Sequence, residues 1–315
     1  MDYRFLITGG FMFEDIEFII PCGGKSTRNY PQAKGIGHKC LLPFGSVRLI
    51  DHILKQIFNA GGRNITIVCS CKEIIDAFKN ALRPTPEIAA IMRQKGYLRI
   101  AEAIEDTALP EDARIQYVIQ EKPLGTAHVL GLAHQISHDK HAVMIFPDDI
   151  YLPFDEQNNQ IAKLLENFCK NKKQVLGTGI YQEDVSRYSI IDNGRMIEKP
   201  QKALNHIACF SPFVIPKEML DYMSSKVDDL EKGIYKPHTV AGEWVYTDGI
   251  NEFLDMGGQE QGFSVHALLK DDADQYVDMG TLPTYEHGML LSLLTRSKYK
   301  DDHIAFAKAF LDKQN

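Results

Sequence analysis

The sequence predicts an α/β fold built on a doubly wound, mainly parallel but mixed sheet, with a smaller β-hairpin region in its second half. Three observations carry this expectation. Short apolar runs alternate with amphipathic stretches through the first half; Gly, Gln and Asp residues follow the ends of those runs; and an Asn-Gly pair sits between two strand-like segments farther on.

Taken in order, Ile16 to Cys22 reads as a buried strand, Val47 to Ala60 as an amphipathic helix and Ile65 to Cys69 as a second strand. Gly61-Gly62 ends the first helix, because glycine takes the left-handed conformation of a helix C-terminus without penalty. Lys72 to Ala81 reads as a second helix. Ile115 to Ile119 and Ala142 to Phe146 read as strands flanking a helix over Thr126 to Ile136. This βαβ order places ligands at the carboxyl ends of the strands. The second half offers a strand over 175–181, a hairpin around Asp192-Asn193-Gly194, a strand over 206–215, and helices with a short strand at Phe263 to His266.

Residues 1–15 are expected to be an N-terminal extension, 16–300 a single domain and 301–315 a C-terminal helix. Phe5 to Gly10, FLITGG, looks like an opening strand, but no βαβ unit is built on it. In the last helix Ile304, Ala307 and Leu311 form an apolar stripe that Phe306 and Phe310 widen, predicting packing on its own domain.

Charge and composition narrow the function. With 35 Lys+Arg against 42 Asp+Glu the chain lacks the basic surplus that nucleic-acid binding needs, so no nucleic-acid partner is expected. No apolar run nears the roughly 20 residues of a membrane span, and the acidic N-terminal stretch is unlike a secretory signal, so no membrane association and a cytoplasmic location are expected. The cysteines show no C-x-x-C pair and are expected to be reduced, partly buried small residues, with neither zinc nor a redox pair favoured. The sequence is compatible with a homo-oligomer.

Gly24-Lys25-Ser26 looks like the end of a Walker A loop, but that motif requires glycine where Ile19 stands. The loop from Gly23 to Pro43 nonetheless carries four glycines and the cations Lys25, Arg28, Lys34 and Lys39, suited to an anion nest or to a solvated surface loop. Pro147-Asp148-Asp149-Ile150 follows an apolar run, where a carboxylate can hold Mg2+ or simply begin a turn. Asp278 sits in YVDMGT, and Glu198-Lys199-Pro200 fixes an acid beside a base. His134 and His138 share helical spacing, with His141 nearby, but lack the Glu of a zinc protease and read as a solvated helix face.

Together these elements resemble, in order, the motifs of the sugar-1-phosphate nucleotidylyltransferases. Cys22-Gly23-Gly24-Lys25-Ser26-Thr27-Arg28 is similar to their A-G-G-x-G-T-R loop, and Lys39-Cys40-Leu41-Leu42-Pro43 to P-K-x-x-L-P. The stretch Gln120 to Ala127 resembles Q-x4-G. Pro147 to Ile150 resembles the L-P-D-D-I form of bacterial UTP:glucose-1-phosphate uridylyltransferases. Glu198 to Pro200, Gly242 to Asp248 and Val277 to Thr281 resemble E-K-P, G-E-x-x-x-T-D and D-x-G-T. The likeness covers about residues 16–295.

The resemblance implies a Rossmann-like nucleotidyltransferase fold with a sugar-binding hairpin region. It also implies transfer of a nucleotidyl group, from UTP above all, to a sugar-1-phosphate such as glucose-1-phosphate. Gly23, Gly24, Gln120 and Gly125 would bind the nucleotide. Arg28, Lys39, Asp148 and Lys199 would be catalytic, Glu198, Lys199 and Glu243 would bind the sugar, with Lys199 on its phosphate and Glu198 on its hydroxyls, and Asp148 and Asp278 would hold Mg2+. A dTTP-dependent thymidylyltransferase is the alternative within the family. A non-catalytic nucleotide-binding regulatory module is the alternative outside it, against which the presence of both Asp148 and Asp278 argues. Three departures stand out: Ser26 for a glycine, His38 for a proline, and Ser189 for a sugar-contacting glycine.

Overall fold

Strand β1 (Ile16–Cys22) sends Phe18, Ile20 and Cys22 into one core and Ile19 into another, the period-2 alternation of a strand covered on both faces. The computed structural model describes residues 13–151, 159–202, 204–237, 239, 242–270 and 276–313, so FLITGG lies outside the described residues. After β1 come two 3-10 turns (Thr27–Asn29 and Lys39–Leu41) and the ribbon of β2 (Pro43–Phe44) and β3 (Val47–Arg48). Then follow α1 (Leu49–Asn59), β4 (Asn64–Cys69), α2 (Lys72–Ala81), α3 (Pro86–Gln94), α4 (Leu98–Glu105) and β5 (Arg114–Ile119). Helix α5 (Thr126–Ser137) leads to β6 (His141–Met144), β7 (Asp149–Tyr151), α6 (Gln160–Phe168) and β8 (Gln174–Tyr181). Strands β9 (Ser189–Asp192), β10 (Arg195–Glu198) and β11 (Ile207–Ile215) precede α7 (Lys217–Glu231) and α8 (Tyr246–Phe253). The chain closes with β12 (Ser264–Leu269), β13 (Tyr276–Asp278), α9 (Leu282–Thr295) and α10 (Lys300–Asp312).

The main sheet runs β10-β9-β11-β6-β1-β4-β5, with β8 pairing β11 and β12. Strands β5, β4, β1 and β6 are mutually parallel, whereas β11 is antiparallel to β6, β8 and β9, so the sheet is mixed as expected. The core that includes Phe18 takes up Leu49, Ile53, Phe78 and Leu164 from α1, α2 and α6; the core that includes Ile19 takes up Ala127, Leu130, Met219 and Met223 from α5 and α7. The order reverses at β1, with β4 on one side and β6 on the other. A crevice therefore opens where the connections leaving β1 and β6 diverge.

The β9–β10 hairpin turns on Asn193 (φ 48°) and Gly194 (φ 73°), the two left-handed residues that the Asn-Gly signal predicts. Helix α1 begins at Leu49 rather than Val47, because Arg48 is extended and its N-H is capped by Asp51 Oδ2 at 2.9 Å.

One expectation fails and another holds only in part. His134 is not on a solvated face: it is buried, with Nε2 2.7 Å from Asp221 Oδ1, because α7 packs over α5 there. Likewise α10 buries none of its residues, and Phe306 is 75% exposed. That helix lies beside α9 with Ile304 and Ala307 half-buried, while Phe306, Phe310 and Leu311 stay exposed, and Arg99 to Asp302 at 3.0 Å ties it down. Among the described residues no helix is long and apolar enough to cross a membrane.

Candidate active site

The crevice at the reversal point is a cleft of about 410 Å³, and eight of the predicted site residues line it, Gly23, Gly24, Arg28, Lys39, Gln120, Gly125, Asp148 and Glu243, together with His38. They arrive from separate pieces of chain, because the parallel strands β1, β5 and β6 all end on this side.

The glycine loop is shaped by the first departure. Ser26 adopts φ 53°, a left-handed conformation that glycine takes more readily, and its Oγ accepts the Lys39 N-H at 2.9 Å. The serine thus spends strain on a bond that pins the second half of the loop. Lys39 Nζ in turn donates to Asp148 Oδ2 at 2.5 Å. Burial opposes both charges, yet each partner outweighs it, holding the Asp148 carboxyl low and the Lys39 ammonium high.

Asp278 reaches the same place from β13. Met279 N-H donates to Asp148 O at 2.8 Å and Asn29 Nδ2 to Met279 O at 3.1 Å, so the segment after β13 is stitched to both the glycine loop and the Asp148 turn. A Cβ added at Gly280 would lie 2.7 Å from Asp278 Oδ1, 2.9 Å from Asp148 Oδ2 and 3.6 Å from Arg28 Nη2. Two carboxylates and a guanidinium therefore converge on a space that only a glycine leaves open. Hard carboxylate oxygens around such a cradle suit a hard divalent cation. The neighbouring Asp149 turns away: its oxygens accept from Ser211 N-H and Tyr276 OH, each at 2.9 Å, and burial together with the Asp148 charge pushes its carboxyl up.

At the other end of the cleft Gln120 is 6% exposed. Its Nε2 donates to Gly125 O at 3.0 Å and to His128 Nδ1 at 3.1 Å, which uses both amide protons and leaves Oε1 facing Gly23. His128 Nε2 lies 3.0 Å from Glu231 Oε1, which fixes the donor on that nitrogen. Burial lowers the His128 pKa, against the opposite pull of Glu231, and keeps the ring neutral. Sequence reasoning missed His128; its one signal is its place in the first turn of the helix that Gly125 opens. Gly125 (φ 107°) is obligatory, since a Cβ would come 2.2 Å from Trp244 O. Ala127 N-H donates to that carbonyl and Trp244 N-H to Leu124 O, which strap the Glu243 segment across the cleft wall.

Glu198 and Lys199 are not among the residues lining this cleft. Lys199 is left-handed (φ 46°), with Nζ 3.6 Å from Glu198 Oε1. Ser189, the third departure, donates its Oγ-H to Glu198 Oε2 at 2.5 Å and lies 3.2 Å from Tyr246 OH. Tyr246 meets Phe146 edge-on at 5.7 Å and donates its N-H to Thr126 Oγ1 at 2.8 Å, and since Phe146 and Thr126 both line the cleft the two regions adjoin there.

The cysteine expectation needs amendment as well. All six are free, as expected, but Cys22 and Cys40 meet at 3.4 Å across 18 positions, a pairing that C-x-x-C spacing could not reveal.

A family model described as Nucleotidyl transferase matches residues 18–289. A Bacillus subtilis (strain 168) protein provisionally named UTP–glucose-1-phosphate uridylyltransferase is 28% identical over 184 residues, 58% of this chain and 63% of that protein, so the match spans under two thirds of the relative's length. The UTP–glucose-1-phosphate uridylyltransferase of Haemophilus ducreyi is 22% identical over 66% of this chain and 75% of its own. Among solved structures, the UDP-glucose pyrophosphorylase of Acinetobacter baumannii superposes with a TM-score of 0.72 at 18% identity, covering 94% of this chain and 98% of its own, a likeness of fold.

Proposed function

Because the chain belongs to the nucleotidyl transferase family, we propose that it transfers a uridylyl group from UTP to glucose-1-phosphate, releasing pyrophosphate. The observation that carries this reading is the meeting of Asp148, Asp278 and Arg28 at the Gly280 cradle, beside a glycine loop at the sheet's reversal point.

Both reactants are anions, so the protein's task is to align them and offset their repulsion. Backbone donors at Gly23 and Gly24 face the triphosphate, with Arg28 and Lys39 supplying positive charge. Asp148 and Asp278 would hold Mg2+, which would supply positive charge against the phosphates. A sugar-1-phosphate oxygen attacks the α-phosphorus and the pyrophosphate leaves, with no covalent nucleophile. Lys199 would hold the sugar phosphate, while Glu198 and Glu243 meet sugar hydroxyls.

The Gln120 geometry supports a uracil-type base. With its amide protons spent, Oε1 can only accept, which suits the N3-H of uracil or thymine and opposes bases that offer an acceptor there. The free thiols support a cytoplasmic setting.

The test is pyrophosphate release across a matrix of nucleoside triphosphates and sugar-1-phosphates, with and without Mg2+. UTP with glucose-1-phosphate should lead. Faster turnover with dTTP would move the assignment to thymidylyl transfer, and no release from any pair would leave a binding module.

A further inference from the structure

We propose that Cys22, His38 and Cys40 form a second cation site, a thiolate–imidazole set for a soft divalent ion of the zinc class, beneath the nucleotide cleft and separate from the Asp148–Asp278 pair. Among the described residues this is the only trio of His, Cys, Asp or Glu whose donor atoms all approach within 4.8 Å of one another. All three side chains are buried, at 0%, 1% and 0% exposure, so the donors are held by the core rather than gathered by chance on the surface.

The spacing is close to what an ion would impose. The sulfurs stand 3.4 Å apart. Across a tetrahedral ion with metal–sulfur bonds of about 2.3 Å they would sit roughly 3.7 Å apart, a change of a few tenths of an ångström. Thiolate and imidazole together are a soft donor set, unlike the carboxylates of the neighbouring site, so the two sites sort cations by chemistry.

The scaffold suits the role. Cys22 ends β1, the central strand, while His38 and Cys40 flank Lys39 on one 3-10 turn. His38 Nδ1 accepts the Cys40 N-H at 3.2 Å, a hydrogen bond that holds the ring beside Cys40 and that an ion bound through Nδ1 would replace. An ion seated here would displace the thiol protons and lock the Gly23 end of the loop to Lys39.

The test uses the full-length, fully reduced protein titrated with Cd2+ as a spectroscopic stand-in for zinc. A cadmium–thiolate charge-transfer band should grow and saturate at one ion per chain, with excess Mg2+ present. Cys22→Ala and Cys40→Ala, each checked by far-ultraviolet circular dichroism, should lose the band, whereas Asp278→Asn and Cys169→Ala should keep it. His38→Ala should retain a band but weaken cadmium affinity at least tenfold. The wild-type titration requires no variant to fold: absence of the band overturns the proposal. So do a band that persists in both cysteine variants, unchanged affinity in His38→Ala, and conversion of the pair to a disulfide without metal uptake.

Discussion

Lys39 Nζ and Asp148 Oδ2, 2.5 Å apart and 109 positions distant in sequence, neutralise each other at the mouth of the cleft. The side chains are only 15% and 18% exposed, so the pair is worth more than a surface ion pair, and removing one partner strands the other. In the proposed reaction the pair exchanges partners, Asp148 turning to the cation and Lys39 to phosphate. Lys39→Met should therefore lower stability to urea by roughly 1–3 kcal/mol and cut turnover by about a hundredfold or more. Asp148→Asn should abolish pyrophosphate release with an unchanged circular dichroism spectrum. Near-normal turnover in the latter would remove Asp148 from the metal site.

Gly280→Ala fills the space on which two carboxylates converge. The added methyl would sit 2.7 Å from Asp278 Oδ1 and 2.9 Å from Asp148 Oδ2, too close for either to stay. Apparent Mg2+ affinity in the pyrophosphate assay should fall about tenfold or more, the scale seen when the support of a metal ligand is disturbed. Unchanged Mg2+ dependence would show that the cation binds elsewhere.

Gln120 presents its acceptor because His128 and Gly125 hold its donors. Gln120→Ala should reduce kcat/KM for UTP by roughly ten- to a hundredfold, equivalent to about 1–3 kcal/mol, and narrow the preference for UTP over CTP. His128→Phe, which leaves Nε2 one partner short, should narrow the same preference with a smaller loss of rate. Base discrimination that survives both changes would assign recognition to other groups.

Lys199→Ala should raise the KM for the sugar phosphate by about tenfold and leave the KM for UTP within a factor of about two, as for loss of one charge-assisted contact. Ser189→Gly releases the Glu198 oxygen that Ser189 now occupies, so the KM for the sugar phosphate should fall. Movement of the UTP constant instead would place this pair on the nucleotide side.

His141 gives a pH test remote from the cleft. It is buried, and desolvation, aided by Lys172 and Lys217, lowers its pKa from 6.5 to about 4. Because the folded value lies below the unfolded one, the unfolded chain binds more protons inside that window. Stability present above pH 6.5 is lost as pH falls toward 4, by up to about 3 kcal/mol. His141→Asn keeps an acceptor for the Lys217 N-H, 3.0 Å away, but cannot titrate. Denaturant melts across this range should be flatter for the variant.

The sheet was legible because its strands are short apolar runs with chemistry at their ends, and the hairpin because Asn193-Gly194 needs two left-handed residues. Pairings between distant side chains were not legible. Nothing local says that Ser26 Oγ will hold Lys39 N-H, that Gln120 will spend its donors inward, or that Cys22 will meet Cys40, since each depends on where a loop returns after the sheet is built. The C-terminal stripe was legible only in part, Ile304 and Ala307 being half-buried and Leu311 exposed, because periodicity reports which residues share a face and not how much of it another element covers.

Asn29 and Met279, bonded across 250 positions, join the loop after β1 to the segment after β13, and Asp278 sits beside that seam. A ribosome must deliver every strand of the main sheet before the second carboxylate exists to take its post. A message cut short before β13 still encodes the parallel strands and the glycine loop, yet yields a chain without the partner that Asp148 requires.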